Sequence, residues 1–154
     1  MSTLKVKGIS APTGYDLAMP TGHILQVVNT ILNAQLTTTS TSWQSGMTLA
    51  ITPKFSTSKI FLLWHGQLSA TTSTDAQVRF FRGTTSDTVL GTVANNFMTG
   101  TGEVVNASNV WLDSPSTTSS QTYTVAYRGS VNGQTIKFGN ASARSNLTLM
   151  EVAG

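Results

Sequence analysis

The sequence predicts an all-β chain, an antiparallel β-sandwich or jelly roll of about eight or nine strands behind an extended N-terminal arm. Three observations lead there. Apolar residues alternate with a period of two, Ser and Thr crowd the positions between them, and turn signals recur at short spacing. No window of helical length carries an i, i+3, i+4, i+7 stripe free of Gly, Pro or Thr clusters, so no helix is expected.

Taken in chain order, residues 1–22 read as the arm and residues 23–154 as the knob domain. Leu4, Val6 and Ile9 alternate with polar residues, and Pro12, Gly14, Pro20 and Gly22 follow them. An extended segment of that kind docks by strand addition or by wrapping a neighbour, and these three side chains are its expected contacts. Ile24-Leu25-Gln26-Val27-Val28 opens the domain as a strand apolar on both faces. Met47, Leu49 and Ile51 form the apolar face of a half-buried strand that ends at Thr52-Pro53. Ile60-Phe61-Leu62-Leu63-Trp64 is again apolar on both faces. In a two-layer sandwich only one face meets the opposite sheet, so Phe61, Leu63 and His65 need cover from another subunit, a loop or a docked partner. They are the expected subunit interface if the chain is an oligomer.

Val78 and Phe80 flank Arg79, and Tyr123, Val125 and Tyr127 alternate with Thr122, Thr124 and Ala126. Asn132-Gly133 between that strand and Thr135–Phe138 predicts a hairpin. Leu147 and Leu149 face one way, with Thr148, Met150 and Val152 facing the other. Arg82-Gly83, Gly100-Thr101-Gly102 and Ser114-Pro115 supply the remaining turns.

Composition narrows the function classes. At 154 residues the chain is the size of one domain, and only 10% of it is charged, far below the usual quarter. The net charge of +3 is spread thinly with no Lys/Arg block, which speaks against nucleic acid as a partner. With no cysteine, thiolate metal sites and disulfides are excluded. Neither a signal peptide nor an apolar stretch of membrane-spanning length is seen, so synthesis in the cytoplasm and no membrane partner are expected. His23, His65, Asp16, Asp75, Asp87, Glu103, Asp113 and Glu151 form no catalytic or metal-ligating constellation, and we expect no enzyme activity, metal or cofactor. The six acids sit mostly at strand ends and turns, where solvated surface roles are expected. Trp64 and Trp111 lie within strands, where packing explains them. Trp43, in a Ser/Thr loop, is the candidate glycan contact.

Four segments taken together carry a resemblance. They are Ile51-Thr52-Pro53-Lys54-Phe55-Ser56-Thr57-Ser58-Lys59-Ile60, Leu112-Asp113-Ser114-Pro115-Ser116-Thr117-Thr118, Tyr123-Thr124-Val125 and Leu147-Thr148-Leu149-Met150-Glu151-Val152. With the opening Ser2-Thr3-Leu4-Lys5-Val6, their order and spacing resemble a domain of virion proteins in marine and cyanobacterial tailed phages. The resemblance implies a jelly-roll knob, often trimeric, on fibres and capsid surfaces, and implies no catalytic residue. The expected role is a homotrimeric capsid decoration or cement (head-fibre) protein, docked by its arm to the major capsid protein or another virion protein. A fully extended 22-residue arm reaches about 70 Å, enough to clamp a neighbouring capsomer. The alternatives are a receptor-binding tail-fibre tip and a lectin-like module whose partner is a host-surface glycan.

Overall fold

The computed structural model describes residues 20–98 and 102–154. They form an all-β fold of two antiparallel sheets, with no helix among the described residues. The strands are β1 (Ile24–Leu32), β2 (Leu36–Thr38), β3 (Gln44–Ile51), β4 (Lys59–Ala70), β5 (Thr74–Arg82), β6 (Thr88–Met98), β7 (Val104–Asp113), β8 (Gln121–Gly129), β9 (Ile136–Phe138) and β10 (Ser145–Val152). One sheet runs β1-β10-β4-β7 and the other β3-β8-β5-β6. The short β2 and β9 extend the first sheet beside the C-terminal half of β4, where β9 takes over from β10 as its neighbour. Apart from the β5–β6 hairpin, every connection between the eight long strands crosses from one sheet to the other. That strand order is the double Greek key of a jelly roll.

Alternation places the core as expected. Leu62, Trp64, Leu68, Leu147 and Leu149 face Met47, Ile51, Val78, Phe80, Tyr123, Val125 and Tyr127 across the sandwich. At the centre the Phe138 ring stacks on Trp64 (centroids 5.2 Å) and on Tyr127 (4.9 Å), so one stack joins the two sheets. Gly46 makes room for it: a Cβ there would stand 2.7 Å from the Phe138 ring. At the β6–β7 rim the Trp111 ring lies against Gly91 of β6, whose φ of 65° accompanies a register shift in the β5–β6 ladder. The indole thereby spans the gap between the sheets at that rim.

Two expectations need correction. The Asn132–Gly133 turn exists, with Gly133 at φ 82°, but it closes no hairpin. β8 pairs with β3 and β5, whereas β9 pairs with β4 and β2, so the turn carries the chain between sheets. Both edges of β8 are already taken, and turn chemistry alone does not choose a partner. Nor are all the acids solvated: Asp113 is 7% exposed and Glu151 is fully buried.

Glu151 ties the Pro53–Lys59 connection to the sheet. Its carboxylate accepts from Gln26 Nε2 (2.6 Å) and from the Lys54 backbone N–H (2.7 Å). Gln26 Nε2 also donates to the Thr52 carbonyl (2.7 Å). Burial would raise the Glu151 pKa. The neighbouring Ser58 hydroxyl, the Gln26 amide and the Lys54 and Phe55 backbone N–H groups outweigh that and hold it below its ordinary value of 4.5. Ser58 Oγ acts by proximity, since it lacks a bond of full geometry. A carboxyl depressed on folding stabilises the fold above its unfolded pKa, and that stability is lost as pH falls through the folded value. The melting temperature should therefore drop below pH 4.5, and Glu151→Gln should lower it at neutral pH while flattening the acid limb. A Gln variant whose profile merely parallels the wild type would show that Glu151 does not carry the acid sensitivity.

The expected arm contacts Leu4, Val6 and Ile9 lie outside the described residues. The described chain enters beside the C-terminus, where the Gly22 N–H donates to the Ala153 carbonyl and the Ala153 N–H to the His23 carbonyl, both at 2.8 Å.

Candidate interaction surface

Ladder register fixes which side chains share the outer face of the β1-β10-β4-β7 sheet, because residues directly opposite on paired strands project to the same side. One row across the four strands reads Val27, Met150, Phe61, Leu112. The next reads Asn29, Thr148, Leu63, Val110, and a third reads Ile31, Asn146, His65, Ser108. Phe61, Leu63 and His65 thus do share one outward face, as alternation on β4 requires. No Asp, Glu, Lys or Arg stands in these twelve positions.

The face is apolar along a diagonal from β1 to β7. Val27 is 53% exposed, Val110 53% and Leu112 47%, with Phe61, Leu63 and Met150 half-buried between them. Monomeric proteins rarely leave a contiguous apolar patch of this kind in water. Its polar corner is satisfied internally. Asn29 Nδ2 donates to Asn146 Oδ1 (2.5 Å) and Thr148 Oγ1 (2.9 Å), and Thr148 Oγ1 donates to Asn146 Oδ1 (3.0 Å). His65 is exposed at the margin and is no core histidine. Sequence reasoning missed the β7 half of the patch, although Val110-Trp111-Leu112 carries the same signal as Ile60–Trp64, a run apolar on both sides.

The outer face of the other sheet is different in kind. Here Trp43, expected to be exposed, is half-buried. Its ring meets Phe81 edge-on (centroids 5.8 Å), with the Arg128 guanidinium 4.4 Å and the Arg79 guanidinium 5.9 Å from its centroid. Among the three tryptophans Trp111 is the most exposed, at 39%, and Trp64 is fully buried. No group of three or more metal-ligating side chains occurs among the described residues.

Fold and surface together define the class: a jelly-roll β-sandwich with one apolar outer face, bordered by Lys59, and one arginine–tryptophan outer face. No protein-family model and no curated protein matches the chain. Among solved structures it is similar to one of Bacillus endospore appendages, described as a novel family of disulfide-linked pili. That match has 14% identity over 89% of this chain and 96% of that one, at a TM-score of 0.34. It is also similar to a CBM4, at 14% identity over 77% of this chain and 80% of that one, with a TM-score of 0.32. Likenesses this slight carry no functional argument.

Proposed function

We propose that this chain is a non-enzymatic structural protein that assembles as a homotrimer through the outer face of the β1-β10-β4-β7 sheet. In this reading it decorates the capsid of a tailed phage as a cement or head-fibre protein. Residues 1–22 serve as the arm that docks on the major capsid protein or another virion protein. The carrying observation is the apolar face centred on Phe61, Leu63, Val110 and Leu112. Turned towards a shared three-fold axis, the same face of the other two copies supplies cover for it, as expected of an obligate interface that resembles a core divided among subunits. The phage setting is supported by the sequence resemblance.

In sedimentation the wild-type protein should run as three 16.3 kDa chains. Leu63→Asp, which would bury an unpaired carboxylate at the contact, should run as a folded monomer. A wild-type monomer at micromolar concentration sinks the trimer. Removing residues 2–20 should leave the trimer intact but unable to join particles, with immunogold on native particles marking heads. A truncated protein still on heads removes the anchoring role, and label confined to tails favours the fibre-tip reading.

A further inference from the structure

The geometry points to a binding site for an acidic sugar, a saccharide unit carrying a carboxylate, on the outer face of the β3-β8-β5-β6 sheet. This site lies on the opposite side of the sandwich from the proposed assembly face and stands or falls independently of it.

Arg79 and Arg128 both stand against the Trp43 indole, and neither is paired with a carboxylate among the described residues. The salt bridge of the described residues, Arg82–Asp113, lies on the inner side of the sheet. Arg128 is oriented by donating Nε to Gln77 Oε1 (2.7 Å) and Nη1 to the Thr41 carbonyl (3.2 Å), which leaves its other nitrogen unused. Arg79 Nε is buried with no hydrogen-bond partner. A buried donor left unmade is costly, and two unpaired cations on one indole repel each other. A carboxylate set beside the two guanidinium groups offsets that repulsion, and guanidinium forks suit a carboxylate's geometry.

Next to the arginines lies a hollow of ≈ 370 Å³ walled by Ser45, Thr48, Thr84, Thr85, Thr122 and Thr124. Ser45, Ala126 and Arg79 stand in one cross-strand row, which puts Ser45 about 10 Å from Arg79. Thr124 is committed to the Gly83 carbonyl, whereas Ser45, Thr48, Thr85 and Thr122 have hydroxyls without a partner among the described residues. Methyls and free hydroxyls together suit the apolar faces and hydroxyl rim of a pyranose ring. Asp87 stands against the Gly83–Thr84 wall of the hollow, its carboxylate accepting from the Thr84 N–H (2.6 Å) and hydroxyl (2.7 Å). Asp75 lies four residues along β5 from Arg79, about 13 Å away. The negative end of the ligand is therefore directed to Arg79 and Arg128 and its ring to the threonines.

The test is an NMR titration of the full chain with sodium glucuronate, glucose and sodium sulfate, each to tens of millimolar. Glucuronate should shift the Trp43 indole N–H and the amides of Arg79, Thr124 and Ala126, with glucose and sulfate about tenfold weaker or more. Arg79→Gln should weaken glucuronate about tenfold, the loss of one charge-assisted contact, and Arg79→Lys by less. Arg144→Gln, in the loop just ahead of β10 of the other sheet, should change nothing. Absence of shifts with glucuronate, or an Arg79→Gln protein that binds normally, overturns the site. Equal binding of sulfate overturns the sugar and leaves a plain anion site, and equal binding of glucose overturns the role of the arginines. If Arg79→Gln does not fold, the wild-type shift map decides.

Discussion

Phe138→Ala should lower the free energy of unfolding by about 3–5 kcal/mol, the range for removing a buried aromatic ring. The ring is fully buried and stacks on Trp64 of one sheet and Tyr127 of the other. Its loss therefore opens a cavity and breaks two aromatic contacts that hold the layers together. It belongs to a strand of only three residues, so few ladder bonds remain to keep β9 in place. Phe138→Leu, which keeps most of the volume, should cost clearly less, about 1–2 kcal/mol. Urea unfolding at one fixed protomer concentration measures both, with the midpoint moving and the slope unchanged. A loss below about 1 kcal/mol for the alanine variant would mean that the stack does not brace the sandwich.

Asp113→Ala comes second, at about 2–4 kcal/mol. Asp113 closes β7 and reaches across to the other sheet, accepting from Tyr123 Oη (2.8 Å) and Arg82 Nη1 (3.3 Å). Burial, followed by the Asp113 bond and charge, pushes the Tyr123 phenol far above its usual range, so it remains a proton donor at every pH the fold survives. Truncation strands that hydroxyl and a guanidinium 26% exposed, whose access to water places the cost below that of a fully buried pair. Asp113→Asn, which keeps an acceptor, should cost about 1–2 kcal/mol, and Tyr123→Phe about 1 kcal/mol. The Asp113→Ala/Tyr123→Phe pair should be less than additive, since both remove one bond. Strict additivity in a double-mutant cycle would show that the bridge is not a unit.

Much of the fold was legible because period-two patterning survives on strands that bury one face. Leu147 and Leu149 went inward with Tyr123, Val125 and Tyr127 as their spacing required. Burial of Glu151 was legible too and was missed: it shares parity with Leu147 and Leu149, and Asp113 shares parity with Ala107 on β7. The partners that make those burials tolerable could not be read, because Gln26 lies 125 residues and Lys54 97 residues from Glu151. On the outer faces, Phe61, Leu63 and His65 were legible from the doubly apolar run on β4. Trp43 was misjudged because a Ser/Thr-rich loop reads as exposed, whereas Phe81 of β5 and Arg128 of β8 take up its ring.

By itself the sequence determined the all-β class, the inward sets of β3, β5, β8 and β10, and a central strand with no polar face. Those follow from alternation, which is a property of neighbouring residues. Only the tertiary structure decided which strands pair, and with that the jelly-roll order. It also decided that the Asn132–Gly133 turn joins sheets instead of hairpin strands, and that Arg79, Arg128 and Trp43 meet on one face. Strand pairing is a competition among all edges for long-range backbone bonds, and local residues carry no record of which edge wins.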